Sequence, residues 1–331
     1  MIKLNYNSFL TNKEFDFLKQ YFDDLKTITK FEKPNENIEE RFNRYKKNDI
    51  SFKKVFKDFT LKDILFSDTK KIKIIIQSVE SRIQTLTGNQ KKEIYEKIKK
   101  LFNYSDKYQS KVLTHFFTDN FNFRTCFYCN KDFITNFKKE KNKLVSTFQL
   151  DHFYDKGTYP YLALSFYNLI PSCPTCNSSK VKGSKNTFAH DSNVGTFKNE
   201  TCIAPNDGKF DFHQKVKFKL LLDDSCKNLH IKSKDDIDIT LKENYSDMYD
   251  KYIEIFKLNE RYKAHKDIVF DMIQKAELYP ESRLKELENL TSIPFQQIKK
   301  DIFNLIDENE DLSKQPFSKL IVDMSKELGI L

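Results

Sequence analysis

Apolar residues recur at three- and four-residue spacing along the first third of the chain, the pattern of amphipathic helices. The spacing predicts helices over residues 11–29, 69–86, 90–102 and 107–118, with a short helix beginning at Thr60. Thr11 and Glu14 form a capping-box pattern at the start of the first helix. Residues 1–120 are therefore predicted to form an all-helical domain.

The pattern changes after residue 120. CFYCN, FITNF and LVSTFQLDHF are short segments rich in aromatic and β-branched residues, a composition typical of strands or a hairpin. Residues 174–182 are compatible with a short helix, and Gly183 stands where helices often end. Residues 121–214 are predicted to form a small module that contains strands.

Alternating apolar positions return in KVKFKLLL and DIDITL, which predicts two more strands. Helical spacing follows over residues 244–277, with a break near Leu258, and over 280–290, 295–306 and 316–328. Residues 215–331 are thus predicted to form a mainly helical C-terminal domain. The whole chain is predicted to be α+β, mostly helical with a central strand-containing module.

Uninterrupted apolar runs are short, and YLAL at 161–164 is typical, whereas a membrane helix needs about 20 such residues. The segment MIKLNYNSFL lacks the apolar run and small-residue cleavage site of a secretory signal. We therefore expect a soluble, cytoplasmic protein without a membrane partner. Cysteines in that compartment are usually thiols or metal ligands.

Charge is unevenly distributed along the chain. Residues 1–120 carry a net charge of +8, residues 121–200 a net charge of +5 and residues 201–331 a net charge of −4. The two basic segments suggest a polyanionic partner such as nucleic acid. An ordinary solvated lysine surface explains the charge equally well, because acidic residues are interspersed throughout.

Four of the six cysteines form two Cys-x-x-Cys pairs, separated by 43 residues. One such pair could arise by chance or serve redox chemistry, but two pairs can supply the four thiolates of a structural zinc site. We predict that Cys126, Cys129, Cys173 and Cys176 bind zinc. A site closed by four thiolates has no open position for a substrate. Cys202 and Cys226 lack a partner spacing and are predicted to be plain buried cysteines.

Polar residues of chemical interest lie between these pairs. Asp151 and His152 stand together in LDHF, and Asn168 stands in FYNLIPSC. Asn177 follows directly after the fourth cysteine. This order, over about residues 120–190, resembles the HNH nuclease superfamily in its form with a four-cysteine zinc site. The resemblance implies a zinc-stapled ββα-metal (HNH) module at the centre of the chain.

The resemblance also implies a role for each residue. His152 would be the general base, because a histidine with its usual pKa of ~6.5 can take a proton from water at neutral pH. Asp151 and Asn177 would ligate a catalytic Mg²⁺ or Mn²⁺, which prefer oxygen ligands. Asn168 would orient His152 or hold the loop. Many relatives have histidine in place of Asn177, and the amide favours Mg²⁺ or Mn²⁺ over a second zinc ion.

Taken singly, these residues also fit simpler interpretations. An Asp-His pair is often only a polar strand end, and an asparagine after Cys-x-x-Cys is often a turn or cap residue. Asn168 could be a buried structural amide. Lys180, Lys182 and Lys185 could contact nucleic-acid phosphates or form the solvated end of a helix.

More loosely, the chain resembles the HNH nuclease subunit (PtuB) of Septu-type bacterial anti-phage defence systems. Besides the central module, the resemblance rests on LNERYKAH at 258–265 and PFSKLIVDM at 316–324. Both segments are first of all amphipathic helices and could be core or a subunit interface. The resemblance implies an ATPase partner subunit, and the chain itself has no P-loop motif.

Two functions follow from these observations. The first is a metal-dependent HNH endonuclease that hydrolyses phosphodiester bonds, with DNA favoured over RNA as substrate. The alternative is a non-catalytic, zinc-stapled module that binds nucleic acid or protein. The alternative keeps the four cysteines but does not depend on His152, so substitution of this histidine distinguishes the two.

Overall fold

A computed structural model describes residues 1–29, 35–139, 144–185, 187–188, 202–222, 231–243, 246–307 and 309–331. These residues form helices and small antiparallel two-stranded sheets, which confirms the α+β prediction at this coarse level. No helix in this part of the chain has both the length and the apolar content that a membrane span requires. The residues pack into two units. The three-domain division stays a prediction.

The larger unit comprises residues 3–123 and 134–210. Its helices are α1 (Phe17–Lys26), α2 (Ile38–Asn48), α3 (Ile50–Val55), α4 (Leu61–Phe66), α5 (Thr69–Gln84), α6 (Gly88–Leu101), a π-helix (Tyr104–Leu113), α7 (Thr114–Asn120) and α8 (Pro174–Asn177). Its strands are β1 (Asn136–Lys138), β2 (Leu144–Ser146), β3 (Gln149–His152) and β4 (Leu169–Ser172).

Side-chain caps decide where several of these helices begin. The hydroxyl of Thr60 and the carboxylate of Asp63 form a capping box at the start of α4, the short helix predicted to begin at Thr60. The box predicted at Thr11 and Glu14 is wrong, because α1 begins only at Phe17, after Asp16 accepts a hydrogen bond from the Lys19 amide. A side-chain oxygen at the N-cap satisfies an amide that otherwise has no helical partner.

The structure also contains helices that the spacing did not predict. Helix α2 is strongly polar and buries only one stripe of side chains. Its few apolar residues give only a weak helical pattern in the sequence. The helix expected over residues 107–118 is a π-helix over Tyr104–Leu113 that continues into α7. Apolar spacing near 3.6 residues cannot distinguish the i→i+5 bonding of a π-helix from an α-helix.

Strands β3 and β4 pair in antiparallel register, with His152 opposite Leu169 and Gln149 opposite Ser172. The turn just before β4 is anchored by Phe166, whose buried ring packs against the rings of Tyr6 and Phe117. Burying an aromatic ring of this size contributes roughly 1.5–3 kcal/mol. The aromatic core therefore fixes the position of the strand pair.

Two local predictions need correction. The helix expected over 174–182 ends already at Asn177, and turns follow to residue 184. Gly183 adopts a φ of +51°, and a Cβ there would meet the Ser179 Cα at 2.9 Å, so glycine is required in this turn. The segment CFYCN is a turn and not a strand.

The second unit comprises residues 1–2, 124–133 and 211–331. Its strands are β5 (Val216–Leu222) and β6 (Ile237–Glu243), as the alternation predicted. Its helices are α9 (Phe212–Lys215), α10 (Asp250–Ile255), α11 (Leu258–Lys263), α12 (Lys266–Leu278), α13 (Glu281–Thr291), α14 (Phe295–Phe303) and α15 (Ser318–Glu327). Lys257, with a φ of +51°, causes the break expected near Leu258.

One buried amide organises the second unit. Asn130 is fully buried at a φ of +52°, and its Nδ2 donates to the carbonyl oxygens of Leu312 and Gln315 at 3.2 and 3.3 Å. Its Oδ1 accepts from the Ser318 hydroxyl and the Lys319 amide, both at 3.0 Å. These bonds tie the turn that contains Cys126 and Cys129 to the start of α15.

We expect Asn130→Ala to destabilise the protein by about 3 kcal/mol or more, because several buried polar groups lose their partner. Asn304→Ala is the matched control, since Asn304 also has a positive φ of 51° but is exposed. The control substitution should lower the free energy of unfolding by only about 1 kcal/mol, the strain of an alanine in the left-handed backbone conformation. Urea unfolding of the two variants measures the difference, and equal losses would contradict the assigned role of Asn130.

Candidate functional site

A cleft of about 390 Å³ lies at the strand pair β3–β4 in the larger unit. The residues around it that matter for chemistry are Tyr104, Gln149, Asp151, His152, Asp155, Lys156 and Asn177. Three of the residues predicted from sequence, Asp151, His152 and Asn177, therefore face one cavity. Tyr104 was not predicted as part of it.

His152 is buried at the wall of this cleft. Its Nε2–H donates to the carbonyl oxygen of Ala163 at 2.9 Å, which leaves Nδ1 with the lone pair of the neutral ring. The Tyr104 ring packs edge-on against the imidazole, with 4.5 Å between ring centroids. Burial, and next the positive charge of Lys156, lowers the pKa of His152 from 6.5 to about 3. The ring is therefore neutral at pH 7, and its pKa differs from the unperturbed value expected from sequence.

Asp151 is buried in an ion pair with Lys182. The Lys182 Nζ lies 3.1 Å from Oδ1 and 3.0 Å from Oδ2 of Asp151, and it donates to the His152 carbonyl oxygen at 2.7 Å. The side chain of Lys182 is 1% exposed and that of Asp151 3%. Lys182 was expected on the surface as a phosphate contact, whereas its ammonium neutralises a buried carboxylate. Lys180 and Lys185 are exposed, as a phosphate contact requires.

Asn168 holds the loop that follows β3. It is fully buried, and its Oδ1 accepts from the Tyr154 amide at 2.7 Å. Its Nδ2 donates to the carbonyl oxygens of Tyr154 and Leu162 at 3.0 and 3.1 Å. The resemblance implied that Asn168 either orients His152 or holds the loop, and these bonds fit the second role. A part for Asn168 in catalysis stays a prediction.

Asn177 is half-buried at the end of α8. Its Nδ2 donates to the Gln149 Oε1 at 2.9 Å, so the amide presents its oxygen as the remaining group that can ligate a cation. An aspartate carboxylate and an asparagine oxygen in one cleft fit a hard divalent cation in chemical type. The carboxylate already has a cationic partner within the chain.

The two Cys-x-x-Cys pairs form one cluster. Cys126, Cys129, Cys173 and Cys176 are all buried, and their sulfur atoms lie within 4.8 Å of one another. Tetrahedral zinc with four thiolates requires sulfur–sulfur separations of roughly 3.8 Å, since each Zn–S bond is about 2.3 Å. The cluster could therefore hold a zinc ion. Cys202 is buried outside the cluster, and Cys226 lies outside the described residues.

Local hydrogen bonds shape each pair. The backbone amide of Asn130 donates to the Cys126 carbonyl oxygen at 2.7 Å, and the Tyr262 hydroxyl donates to the Cys129 carbonyl oxygen at 2.6 Å. The Cys176 amide donates to the Cys173 Sγ at 3.4 Å across the first turn of α8. Tyr262 belongs to LNERYKAH, one of the segments on which the looser resemblance rests, and this role was not predicted for it.

Comparison of the chain with protein-family models, with curated proteins and with solved structures finds no match. The function must therefore be argued from the geometry of the cleft and the cysteine cluster.

The purified protein should contain about one zinc ion per chain, the number that one four-thiolate cluster holds. Cys176→Ser removes a ligand and should lower the zinc content and the thermal unfolding midpoint. Cys202→Ser is the matched control, because Cys202 is equally buried but lies outside the cluster. Elemental analysis measures the metal, and a full zinc content in Cys176→Ser would contradict the assignment.

Stability should fall on acidification because His152 is neutral in the fold. Between its folded pKa of about 3 and its unfolded pKa of 6.5, the unfolded chain binds more protons, so lowering the pH favours unfolding. The loss reaches about 2 kcal/mol at pH 5. His152→Gln removes this titration. Urea unfolding of both proteins is measured from neutral pH to pH 5 without added divalent cation. The free energy of unfolding should fall less in the variant than in the wild type. Equal pH dependence would contradict the buried neutral state.

Proposed function

We propose that the protein is a metal-dependent HNH endonuclease that hydrolyses phosphodiester bonds, most readily in DNA. The observation that carries the proposal is the convergence of Asp151, His152 and Asn177 on one polar cleft. These are the residues to which the HNH resemblance assigns metal binding and base catalysis. The four-cysteine cluster beside them in sequence supports the same family.

His152 would act as the general base through Nδ1. The bond from Nε2 to Ala163 fixes the tautomer, so that a water molecule in the cleft would meet the lone pair. A pKa near 3 makes the imidazole a weak base in the absence of substrate. An anionic phosphate beside the ring raises that pKa, both directly and by pairing with Lys156. Substrate binding would thereby activate the base.

Asp151 and Asn177 would hold Mg²⁺ or Mn²⁺. When bound, such a cation supplies positive charge to the scissile phosphate and to the leaving oxygen. Asn168 would keep the loop after β3 in place, and with it the Ala163 carbonyl that orients the base. The exposed residues Lys180 and Lys185 would contact backbone phosphates.

We assign a structural zinc ion to the four cysteines. Four thiolate ligands fill the tetrahedral coordination of zinc, so this ion would support the fold and take no part in hydrolysis. The separate, oxygen-rich cleft suits the catalytic cation. The resemblance to Septu-type nuclease subunits extends the proposal to an anti-phage defence system with an ATPase partner.

One observation favours the alternative of a non-catalytic binding module. The Asp151 carboxylate is already neutralised by Lys182, as in a purely structural ion pair. A module of this kind would bind nucleic acid or protein through its basic surface and would not need His152. The two functions therefore differ in the effect of removing this side chain.

We expect the wild-type protein to nick or linearise plasmid DNA when Mg²⁺ or Mn²⁺ is present and to be inactive with EDTA. His152→Ala should lower the rate by about a hundredfold or more, because the proton acceptor is lost. Gel electrophoresis of the plasmid after incubation measures both effects. Thermal unfolding confirms that the variant is folded.

His213→Ala controls for the loss of a histidine elsewhere, since His213 lies in the second unit, outside the cleft. This control should cut at the wild-type rate. Cleavage by His152→Ala at the wild-type rate would contradict the assigned base. If wild type does not cleave even with its co-purifying partner present, while it still binds DNA, the binding module is the correct function.

A further inference from the structure

We propose that Lys182 is a built-in counter-cation that keeps the metal affinity of the cleft low until nucleic acid binds. This inference rests on the proposed function, because it assumes that Asp151 is a metal ligand. It adds a positioning residue and an order of events that the resemblance does not supply.

The contacts of Lys182 show that it is a fixed part of the site. Its ammonium has three hydrogen-bond donors, and the two carboxylate oxygens of Asp151 and the carbonyl oxygen of His152 lie within bonding distance. Its own backbone amide donates to the Cys176 carbonyl oxygen at 3.2 Å. The side chain therefore holds Asp151 from a position that is set by the end of the second Cys-x-x-Cys pair.

Among the described residues at the cleft, charge is balanced without a metal ion. Asp151 and Asp155 supply two negative charges, and Lys156 and Lys182 supply two positive charges. A divalent cation that binds Asp151 must therefore approach a neutral site and experience repulsion from a nearby ammonium group. Sites that bind Mg²⁺ commonly combine one or two carboxylates with substrate phosphates.

A phosphodiester changes this balance. Its negative charge attracts both the divalent cation and Lys156, whose Nζ now lies 4.3 Å from the centre of the Tyr104 ring at the cleft. Metal and nucleic acid should therefore bind with positive coupling, each raising the affinity for the other by the same factor. Lys182 would make metal binding depend on this coupling, because its charge lowers the affinity for the cation and the negative charge of the phosphate offsets that repulsion.

Manganese binding to zinc-loaded protein tests the proposal without relying on activity. Free Mn²⁺ is measured by electron paramagnetic resonance, with and without a short DNA duplex, in a His152→Ala background that prevents cleavage. We expect the duplex to tighten Mn²⁺ binding by about tenfold or more. Lys182→Gln should tighten Mn²⁺ binding without DNA by about tenfold, because the competing charge is gone.

Two variants serve as matched controls. Lys92→Gln removes the same charge from an exposed position in the larger unit, outside the cleft, and should leave Mn²⁺ affinity within about twofold of the parent. Lys182→Arg keeps the charge and should retain weak binding. A structural role alone would lower the thermal stability of Lys182→Gln without changing its affinity for Mn²⁺.

The outcomes separate this inference from the proposed function. Equal Mn²⁺ affinity in Lys182→Gln and its parent overturns the inference and leaves the nuclease standing. If Lys182→Gln does not fold, the parent protein alone tests the inference. Identical Mn²⁺ affinity of the parent with and without the duplex would also overturn the inference. Mn²⁺ binding that survives Asp151→Asn unchanged would instead refute Asp151 as a ligand and, with it, the proposed metal site.

Discussion

The buried ion pair between Asp151 and Lys182 is the interaction on which the candidate site depends. Removing one partner of such a pair leaves an uncompensated charge in the interior, which typically costs 3–5 kcal/mol. The pair joins β3 to the turn that follows α8, so it brings together parts of the chain that are 31 residues apart. It also fixes the direction of the carboxylate that faces the cleft.

The candidate site depends secondly on the register in which β3 pairs with β4. Because side chains alternate along a strand, a shift of one residue would exchange the faces on which Asp151 and His152 lie. The buried ring of Phe166 and the side-chain amide of Asn168 anchor the chain just before β4, and Asn168 also bonds the loop after β3. Packing and hydrogen bonding thus position the base.

Local sequence signals predicted much of this arrangement. The two Cys-x-x-Cys pairs predicted the four-cysteine cluster, because ligand spacing within a turn is a local property. The alternation in KVKFKLLL and DIDITL predicted β5 and β6, and the positions of Asp151 and His152 at a strand end were also correct. The burial of Lys182 could not be predicted, since it depends on packing between distant segments. The lowered pKa of His152 has the same origin, because burial is its largest cause.

The most direct test of the account is the location of the catalytic cation in a complex of the His152→Ala protein with a DNA duplex and Mn²⁺. Anomalous diffraction at the manganese edge identifies the ion independently of zinc. We expect a manganese peak in the cleft, in contact with Asp151 and with a backbone phosphate of the duplex. A duplex bound elsewhere on the protein, with no manganese at Asp151, would contradict it.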